Sequence, residues 1–139
     1  MMVSSEQFSL KSSNPTELAA TAGYAQIVEA RGTRIIFISG QTSIDSAGET
    51  VGIDNLPEQA SQVFRNLEAA LRAAGCDAKN LAKMTVFLRD VNELAAYREA
   101  RNSFFQSVTP PAAPAVTLVE VSRLYGSDFL IEIEAIAIA

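Results

Sequence analysis

Two carboxylates near the C-terminus interrupt an otherwise apolar run. The chain ends in FLIEIEAIAIA (129–139), which has the β-branched composition of a strand. With strand alternation, Glu132 and Glu134 share one face with leucine and isoleucine side chains. A carboxylate on such a face must be paired, hydrogen-bonded or partly protonated. Either the two residues pair with arginines at a subunit interface, or Glu132 holds or protonates a ligand in a cleft. The residues alone leave both interpretations open.

Two cations lie on the apolar side of a predicted helix at residues 90–105. Leu94, Tyr97 and two phenylalanines form its apolar stripe, and Arg98 and Arg101 fall on the same stripe. Their aliphatic stems could pack at the edge of the stripe while the charged ends reach water. Alternatively, a guanidinium there could bind a carboxylate through two parallel hydrogen bonds. Both interpretations stay open.

Two more polar positions flank the first β-rich segments. Tyr24 comes just before the first segment, and Ser39-Gly40-Gln41 ends the second. Glycine lets a ligand approach the backbone closely, and a serine hydroxyl can donate or accept a hydrogen bond. As isolated residues they are typical of strand ends, so they do not define a site by themselves.

The chain contains no histidine and a single cysteine, Cys76. The lack of imidazole removes Ser-His and Cys-His nucleophilic catalysis and every zinc site built on histidine. We expect no metal and no intrachain disulfide. Cys76 is interpreted as an unreactive thiol, because no basic residue lies beside it in sequence. Acid–base chemistry must then fall to carboxylates, tyrosines, lysines, hydroxyls or water.

The length and composition indicate one folded domain. The 139 residues are 48% hydrophobic and 19% charged, with a net charge of −5, so we expect a single domain over 1–139 with a weakly constrained extension at 1–20. The acidic balance disfavours nucleic acid as a partner. No apolar run approaches the roughly 20 residues that span a bilayer, and no signal-peptide pattern is present. We therefore expect a cytoplasmic protein that does not bind membranes.

Hydrophobic periodicity predicts an α+β chain with the order β-β-α-β-α-β-β. Residues 25–40 read as a hairpin that turns at Arg31-Gly32. Residues 56–75 form a helix, with Pro57 in its first turn and Gly75 just past its end. The other predicted elements are strand 81–89, helix 90–105, and strands 115–122 and 128–138.

The number of helices is small for the amount of apolar sheet. Two helices can cover one face of a sheet, yet the strands at 33–39, 115–122 and 128–138 carry apolar residues on both faces. An uncovered apolar face marks an interaction surface. The sequence therefore predicts self-association through the sheet.

Three stretches together resemble a known family. They are YAQIVEARGTRIIFISGQ (24–41), AAGCDAKNLAKMTVFLRDVNEL (73–94) and VEVSRLYGSDFLIEIEAIAIA (119–139), and they are similar in order and spacing to the RidA family, also called YjgF or endoribonuclease L-PSP. The resemblance implies a chorismate-mutase-like fold and a barrel-like homotrimer with three clefts, each lined by two subunits. It also implies hydrolysis of reactive enamines and imines to 2-keto acids and ammonia, without a metal or organic cofactor.

The resemblance also implies roles for individual residues. Tyr24 and Ser39 match the residues that orient the substrate, and Glu132 matches the carboxylate that positions or polarises the hydrolytic water. Gly40, beside Ser39, is expected to contact the substrate. Glu134 matches no site residue, so pairing is its expected role.

One family motif is altered. The family's deaminases carry P-A-R-[S/T]-x-V, whose arginine grips the substrate carboxylate, whereas PAVTLVEV (114–121) has Val116 at that position and Leu118 where a cysteine is common. Losing such a charged hydrogen bond costs about 1.5–3 kcal/mol, which is roughly ten- to hundredfold in affinity. We therefore expect weak activity on 2-iminobutanoate and 2-iminopropanoate. Arg98, at a helix position that is a cleft asparagine in some members, is the candidate for a relocated cation.

Three functions are consistent with the sequence. The first is a trimeric hydrolase of a small imine, enamine or related carbonyl compound, with an apolar pocket wall at Val116 and Leu118. The second is a non-catalytic protein that holds a small metabolite in the same cleft. The third is a ribonuclease, as the older family name suggests, which the acidic charge and the lack of histidine disfavour.

Overall fold

The computed structural model describes residues 8–139. In chain order the elements are β1 (Ser9–Ser13), β2 (Ile27–Arg31), β3 (Ile35–Gln41), α1 (Leu56–Ala73), a 3-10 turn (Ala78–Asn80), β4 (Leu81–Leu88), a 3-10 turn (Val91–Glu93), α2 (Leu94–Phe105), β5 (Ala115–Glu120) and β6 (Ile131–Ile138). The predicted α+β class is confirmed. Strand β1 lies in the segment for which the sequence predicted no element, and residues 1–7 of the predicted extension lie outside the described residues.

The strands form two sheets. The larger sheet has the order β3-β6-β4-β5, in which β6 runs antiparallel to both neighbours and β4 runs parallel to β5. The smaller sheet contains β1 and β2. A parallel bridge between Ala25 and Ala115 connects the chain before β2 to the outer strand β5. This bridge brings the segment around Tyr24 next to the start of β5.

The hairpin predicted for residues 25–40 is wrong. Strand β2 pairs with β1, and β3 pairs with β6. The reason lies next to the predicted turn, where the amides of Thr33 and Arg34 donate to the carbonyl oxygen of Ala139 at 2.9 and 2.7 Å. A side chain at Gly32 would meet Ile138 and that same carbonyl. The C-terminus therefore occupies the position that a hairpin partner would need, and residues 32–34 carry the chain from one sheet to the other.

Both helices pack on one face of the larger sheet. The side chain of Asn55 caps α1 by accepting a hydrogen bond from the amide of Glu58 at 3.0 Å, Pro57 lies in the first turn, and Gly75 takes a positive φ of 75° just past the end. These features confirm the predicted ends of this helix. The residues of α1 that the structure buries are Leu56, Gln59, Ala60, Val63, Phe64, Leu67 and Leu71. They pack on alternate residues of β6, of which Ile131 and Ile133 are fully buried.

The opposite face of the sheet carries exposed apolar side chains. Phe37 is 75% exposed, Ile35 63% and Val119 41%. Polar groups share this face, because Lys83 donates to Thr117 at 2.6 Å. Isolated exposed hydrophobic residues are ordinary, but a group of them on one sheet face is typical of an interface. The trimer itself stays a prediction.

The fold also bears on membranes, metals and the thiol. Within residues 8–139, no helix is long and apolar enough to cross a bilayer. The same residues contain no group of three carboxylate or cysteine side chains placed to hold a metal ion. Cys76 is buried just after α1.

Candidate functional site

A cavity of about 220 Å³ lies between α2 and the first half of β5. Its lining residues are Tyr24, Leu94, Tyr97, Arg98, Arg101, Val116 and Leu118. Four of these were predicted site residues on three separate segments, so the fold brings together Tyr24, Arg98, Val116 and Leu118. The sequence-based site did not include Leu94 or Tyr97, and Arg101 was considered with Arg98 as a possible anion-binding guanidinium but was not assigned to the site. Their spacing of three and four residues along α2, the repeat of one helix face, is the signal that points to them.

Backbone contacts explain how Tyr24 reaches this cavity. The amide of Ala25 donates to the carbonyl of Pro114 at 3.0 Å, and the hydroxyl of Thr21 donates to the carbonyl of Tyr24 at 2.7 Å. On the other wall, Val116 pairs in parallel register with Met84 of β4. The tyrosine and the valine are therefore both held by the backbone next to β5.

Arg101 is a buried cation in this cavity, with only 6% of its surface exposed. Its Nε and Nη2 donate to the side-chain oxygen of Asn102 at 3.2 and 3.0 Å, and Nη2 also lies 3.4 Å from the carbonyl of Ala22. These bonds leave Nη1 without a protein partner within residues 8–139. Arg101 also forms no salt bridge within residues 8–139, where the ion pairs join Arg72 to Glu68 and Lys79 to Asp77. Arg98 is exposed at the rim of the same cavity.

Gly23 makes room for the guanidinium of Arg101. The residue has a positive φ of 84°, a conformation that other residues adopt only at a cost. A Cβ built there would overlap Nη2 and lie 2.8 Å from Cζ of Arg101. A glycine at this position is therefore needed for the buried arginine to take the place that it occupies.

Tyr97 is 1% exposed and carries an unpaired hydroxyl. Its Oη is the only buried side-chain oxygen or nitrogen without a hydrogen-bond partner among residues 8–139. The ring stacks on Phe64 at a centroid distance of 6.3 Å, and Cζ of Arg101 lies 5.7 Å from the ring centre. Burial raises the pKa of Tyr97 to about 12, and the charge of Arg101, a side-chain interaction with the same arginine and the charge of Arg98 oppose part of that rise. The hydroxyl is therefore protonated at neutral pH.

Glu132 lies on another part of the chain, opposite Phe87 of β4 and on the face of the sheet away from the helices. It is half-buried and forms no salt bridge within residues 8–139. Burial raises the pKa of its carboxyl above the ordinary value, and the nearby charge of Glu134 raises it further. A carboxyl with a raised pKa can exchange a proton closer to neutral pH than an ordinary glutamate can.

Gly40 lies directly against the Glu132 carboxyl. A Cβ at Gly40 would overlap Oε2 of Glu132 and lie 2.8 Å from its Cδ. The strand ladder between β3 and β6 is irregular between Ile38 and Gln41, which takes Ser39 and Gly40 out of regular pairing. Ser39 is exposed next to this contact. Of the predicted residues, Gly40 and Glu132 are therefore in direct contact, and Ser39 lies beside Gly40 at the same irregularity of the ladder.

Members of the two groups of site residues line two different cavities of residues 8–139. Gly40 lines a second cavity of about 420 Å³, together with residues of the loop after β3 and with Tyr125. Neither Ser39 nor Glu132 lines the cavity of Tyr24 and Val116. Within the chain the candidate site residues therefore fall into two halves: a cationic half at α2 and β5, and a carboxylate half at β3 and β6.

The chain is similar to known proteins along nearly its full length. The family model for endoribonuclease L-PSP matches residues 14–139. A RutC family protein of Synechocystis is 40% identical over 121 residues, covering 86% of this chain and 88% of that protein. The mouse 2-iminobutanoate/2-iminopropanoate deaminase is 38% identical over 120 residues, covering 86% and 84%.

Solved structures agree with these matches. The crystal structure of a protein of unknown function of the conserved Rid protein family from Yersinia pestis superposes with a TM-score of 0.86 at 28% identity, covering 94% of this chain and 98% of that one. The chain belongs to the RidA/YjgF family, also called the endoribonuclease L-PSP family. The family predicted from three sequence stretches is thus confirmed.

Proposed function

We propose that this protein is a RidA-like hydrolase that acts on a small imine, enamine or related carbonyl metabolite in a cleft between two subunits of a homotrimer. The observation that carries the proposal is the division of the site into two halves. Tyr24 and the cavity beside Val116 lie on one surface of the chain, whereas Ser39 and Glu132 lie on another. A second subunit that docks on the exposed apolar sheet face would supply the missing half to each cleft.

The trimer proposal has separate physical support. Phe37 and Ile35 are large apolar side chains on the uncovered face of the sheet, in the same strand that carries Ser39 and Gly40 near its end. Covering that face removes apolar surface from water, which stabilises the contact by about 25 cal/mol per Å² buried. The same contact would place the carboxylate half of one subunit beside another subunit.

Each proposed residue has a role in the reaction. Water adds to the carbon of the C=N bond and gives a carbinolamine, which releases ammonia and leaves the ketone. Glu132 orients the water and accepts its proton, and it then returns the proton to the departing nitrogen. Its raised pKa suits both steps. Tyr24, Ser39 and Gly40 orient the substrate, with no metal or cofactor in the scheme.

The wall formed by Val116 and Leu118 sets the expected selectivity. Both are half-buried and apolar, so this wall can hold an alkyl chain but not a carboxylate. The cations of the site come from α2, where Arg98 at the rim is the proposed substrate-binding residue. We therefore expect turnover of 2-iminobutanoate and 2-iminopropanoate to be low in comparison with the mouse deaminase.

The test is turnover of freshly generated imines. Keto-acid formation is followed for the wild type and for Glu132→Gln, which keeps the side-chain shape and removes the basic oxygen. A hydrolase is expected to lose turnover in the variant with its fold and oligomer intact. If the wild type is no faster than the variant on any imine but still binds keto acids, the second function, a metabolite-binding protein, replaces the first. The valine at position 116 is the observation that favours this alternative.

A further inference from the structure

We propose that Tyr97 and Arg101, here called the α2 subsite, bind the anionic group of the ligand from the wall opposite Val116. Identifying that ligand as the substrate rests on the proposed function. The subsite itself rests on the contacts of the two side chains. The ligand class is a small carboxylic acid whose apolar part packs on Leu94, Val116 and Leu118.

The first step of the argument is the unpaired charge of Arg101. A buried guanidinium is usually paired with a carboxylate, because removing a charge from water is costly. Arg101 has neutral oxygens on Nε and Nη2 and none on Nη1 within the described residues. Asn102 and Gly23 hold the guanidinium in one position, so its free edge is pre-organised to donate to an anion.

The second step is the unpaired hydroxyl of Tyr97. Buried hydroxyls almost always have a partner, and this one has none in the protein between residues 8 and 139. Because the hydroxyl stays protonated at neutral pH, it can donate to an anionic oxygen. Tyr97 and Arg101 thus stand on neighbouring turns of one helix, both residues line one cavity, and each carries a donor without a hydrogen-bond partner in residues 8–139. A carboxylate would satisfy both donors.

The third step is the fit of the cavity. The cavity volume of about 220 Å³ leaves room for a ligand as small as a short keto acid. Arg98 at the rim adds a second positive charge that attracts an anion from solution. The cation that the family motif places on β5 is thus supplied by α2, and the carboxylate binds on the other wall.

The experiment compares an acid with its neutral isostere. Binding of 2-oxobutanoate and 2-oxobutanamide is measured by isothermal titration calorimetry at pH 7. We expect wild-type protein to bind the acid at least tenfold more tightly than the amide. Tyr97→Phe should weaken binding of the acid about tenfold and leave binding of the amide unchanged. Arg101→Gln should abolish the preference, and Arg101→Lys should reduce it, since lysine keeps the charge but not the planar fork.

Two further variants keep the test decisive. Gly23→Ala displaces the guanidinium without changing the charge and should also reduce the preference, which covers the case in which Arg101→Gln does not fold. Arg65→Gln removes a positive charge from the exposed side of α1 and should leave both affinities within twofold. The proposal would be overturned if Tyr97→Phe and Arg101→Lys each kept the wild-type preference for the acid over the amide. It would also be overturned if the wild type bound the two compounds equally.

The result also separates this inference from the proposed function. A preference for the acid without imine turnover would leave the α2 subsite in place and refute the hydrolase. Imine turnover without any preference for the acid would support the hydrolase and refute the α2 subsite.

Discussion

The substitution Tyr97→Phe should make the protein more stable, although tyrosine to phenylalanine in a core usually costs stability. The change removes one oxygen and keeps the ring that stacks on Phe64. In the folded protein that oxygen is buried without a partner, whereas in the unfolded chain it binds water. Its transfer to the interior is therefore an uncompensated cost that the variant does not have.

The magnitude follows from the cost of an unsatisfied group. A buried polar group without a partner costs about 1–3 kcal/mol. The space left by one oxygen loses some packing contacts, which offsets part of the gain. A net increase of about 1 kcal/mol in the free energy of unfolding is expected. For a domain of this length, that raises the melting temperature by about 3–5 °C.

The assay is thermal unfolding followed by circular dichroism in the absence of ligand, with Tyr125→Phe as the matched control. Tyr125 is 70% exposed, and its hydroxyl lies 2.8 Å from Oγ1 of Thr42, so the control should lose about 0.5–1.5 kcal/mol or less. The two variants make the same chemical change, but the expected changes in the free energy of unfolding have opposite signs. If Tyr97→Phe melts lower than the wild type, its hydroxyl has a partner in the assembled protein, and the reasoning about the α2 subsite loses its second donor.

Four other outcomes are expected. Glu132→Gln should remove turnover. Burial also raises the folded-state pKa of Glu132 above its ordinary value of 4.5. The stability of the wild type should therefore fall as the pH rises from below that value through the folded pKa. The variant lacks this titration and should gain stability relative to the wild type between pH 4 and 7, whereas a lower melting temperature at pH 7 would indicate an interface ion pair. Gly40→Ala should lower kcat/KM at least tenfold with the circular dichroism spectrum unchanged, because the new Cβ displaces the Glu132 carboxyl. If the variant keeps the kcat/KM of the wild type, the contact between Gly40 and Glu132 is unimportant for turnover. Light scattering should give three times the 14.9 kDa of one chain, and Phe37→Glu should give a smaller species; a well-folded wild-type monomer would exclude a site shared by subunits. Turnover of 2-iminobutanoate should be at least tenfold below that of the mouse deaminase, and Arg98→Ala should lower what remains. Equal rates for the two proteins would show that Val116 does not limit turnover of this imine.

Much of the local structure was predictable from local signals. The ends of α1 follow from Asn55, Pro57 and Gly75, since each meets a requirement of a helix terminus within a few residues. The placement of Glu132 follows from strand alternation in β6, which needs no knowledge of neighbouring strands. The family follows from three stretches whose order is written in the chain. These inferences depend on short-range geometry or on whole-sequence similarity.

Tertiary structure decided the points that depend on distant parts of the chain. The turn at Gly32 does not form a hairpin, because the carbonyl of Ala139 takes the amides of Thr33 and Arg34. Strand pairing of this kind is set by residues more than a hundred positions apart, and local turn signals do not report it.

The cavity beside α2 is a second feature that local sequence signals do not predict in full. Helical spacing places Arg98 and Arg101 on one side of α2, but the rotation of the helix against the sheet decides which of them is buried. That rotation follows from the packing of Tyr97 and Phe104 on Phe64 of α1. Sequence signals alone predicted both helices, the strands of the larger sheet and the family, and they identified Val116 as an apolar residue in the candidate site. Only the packed structure decided that Arg101 lies buried across the cavity, because burial is a property of the assembled surfaces and not of a segment.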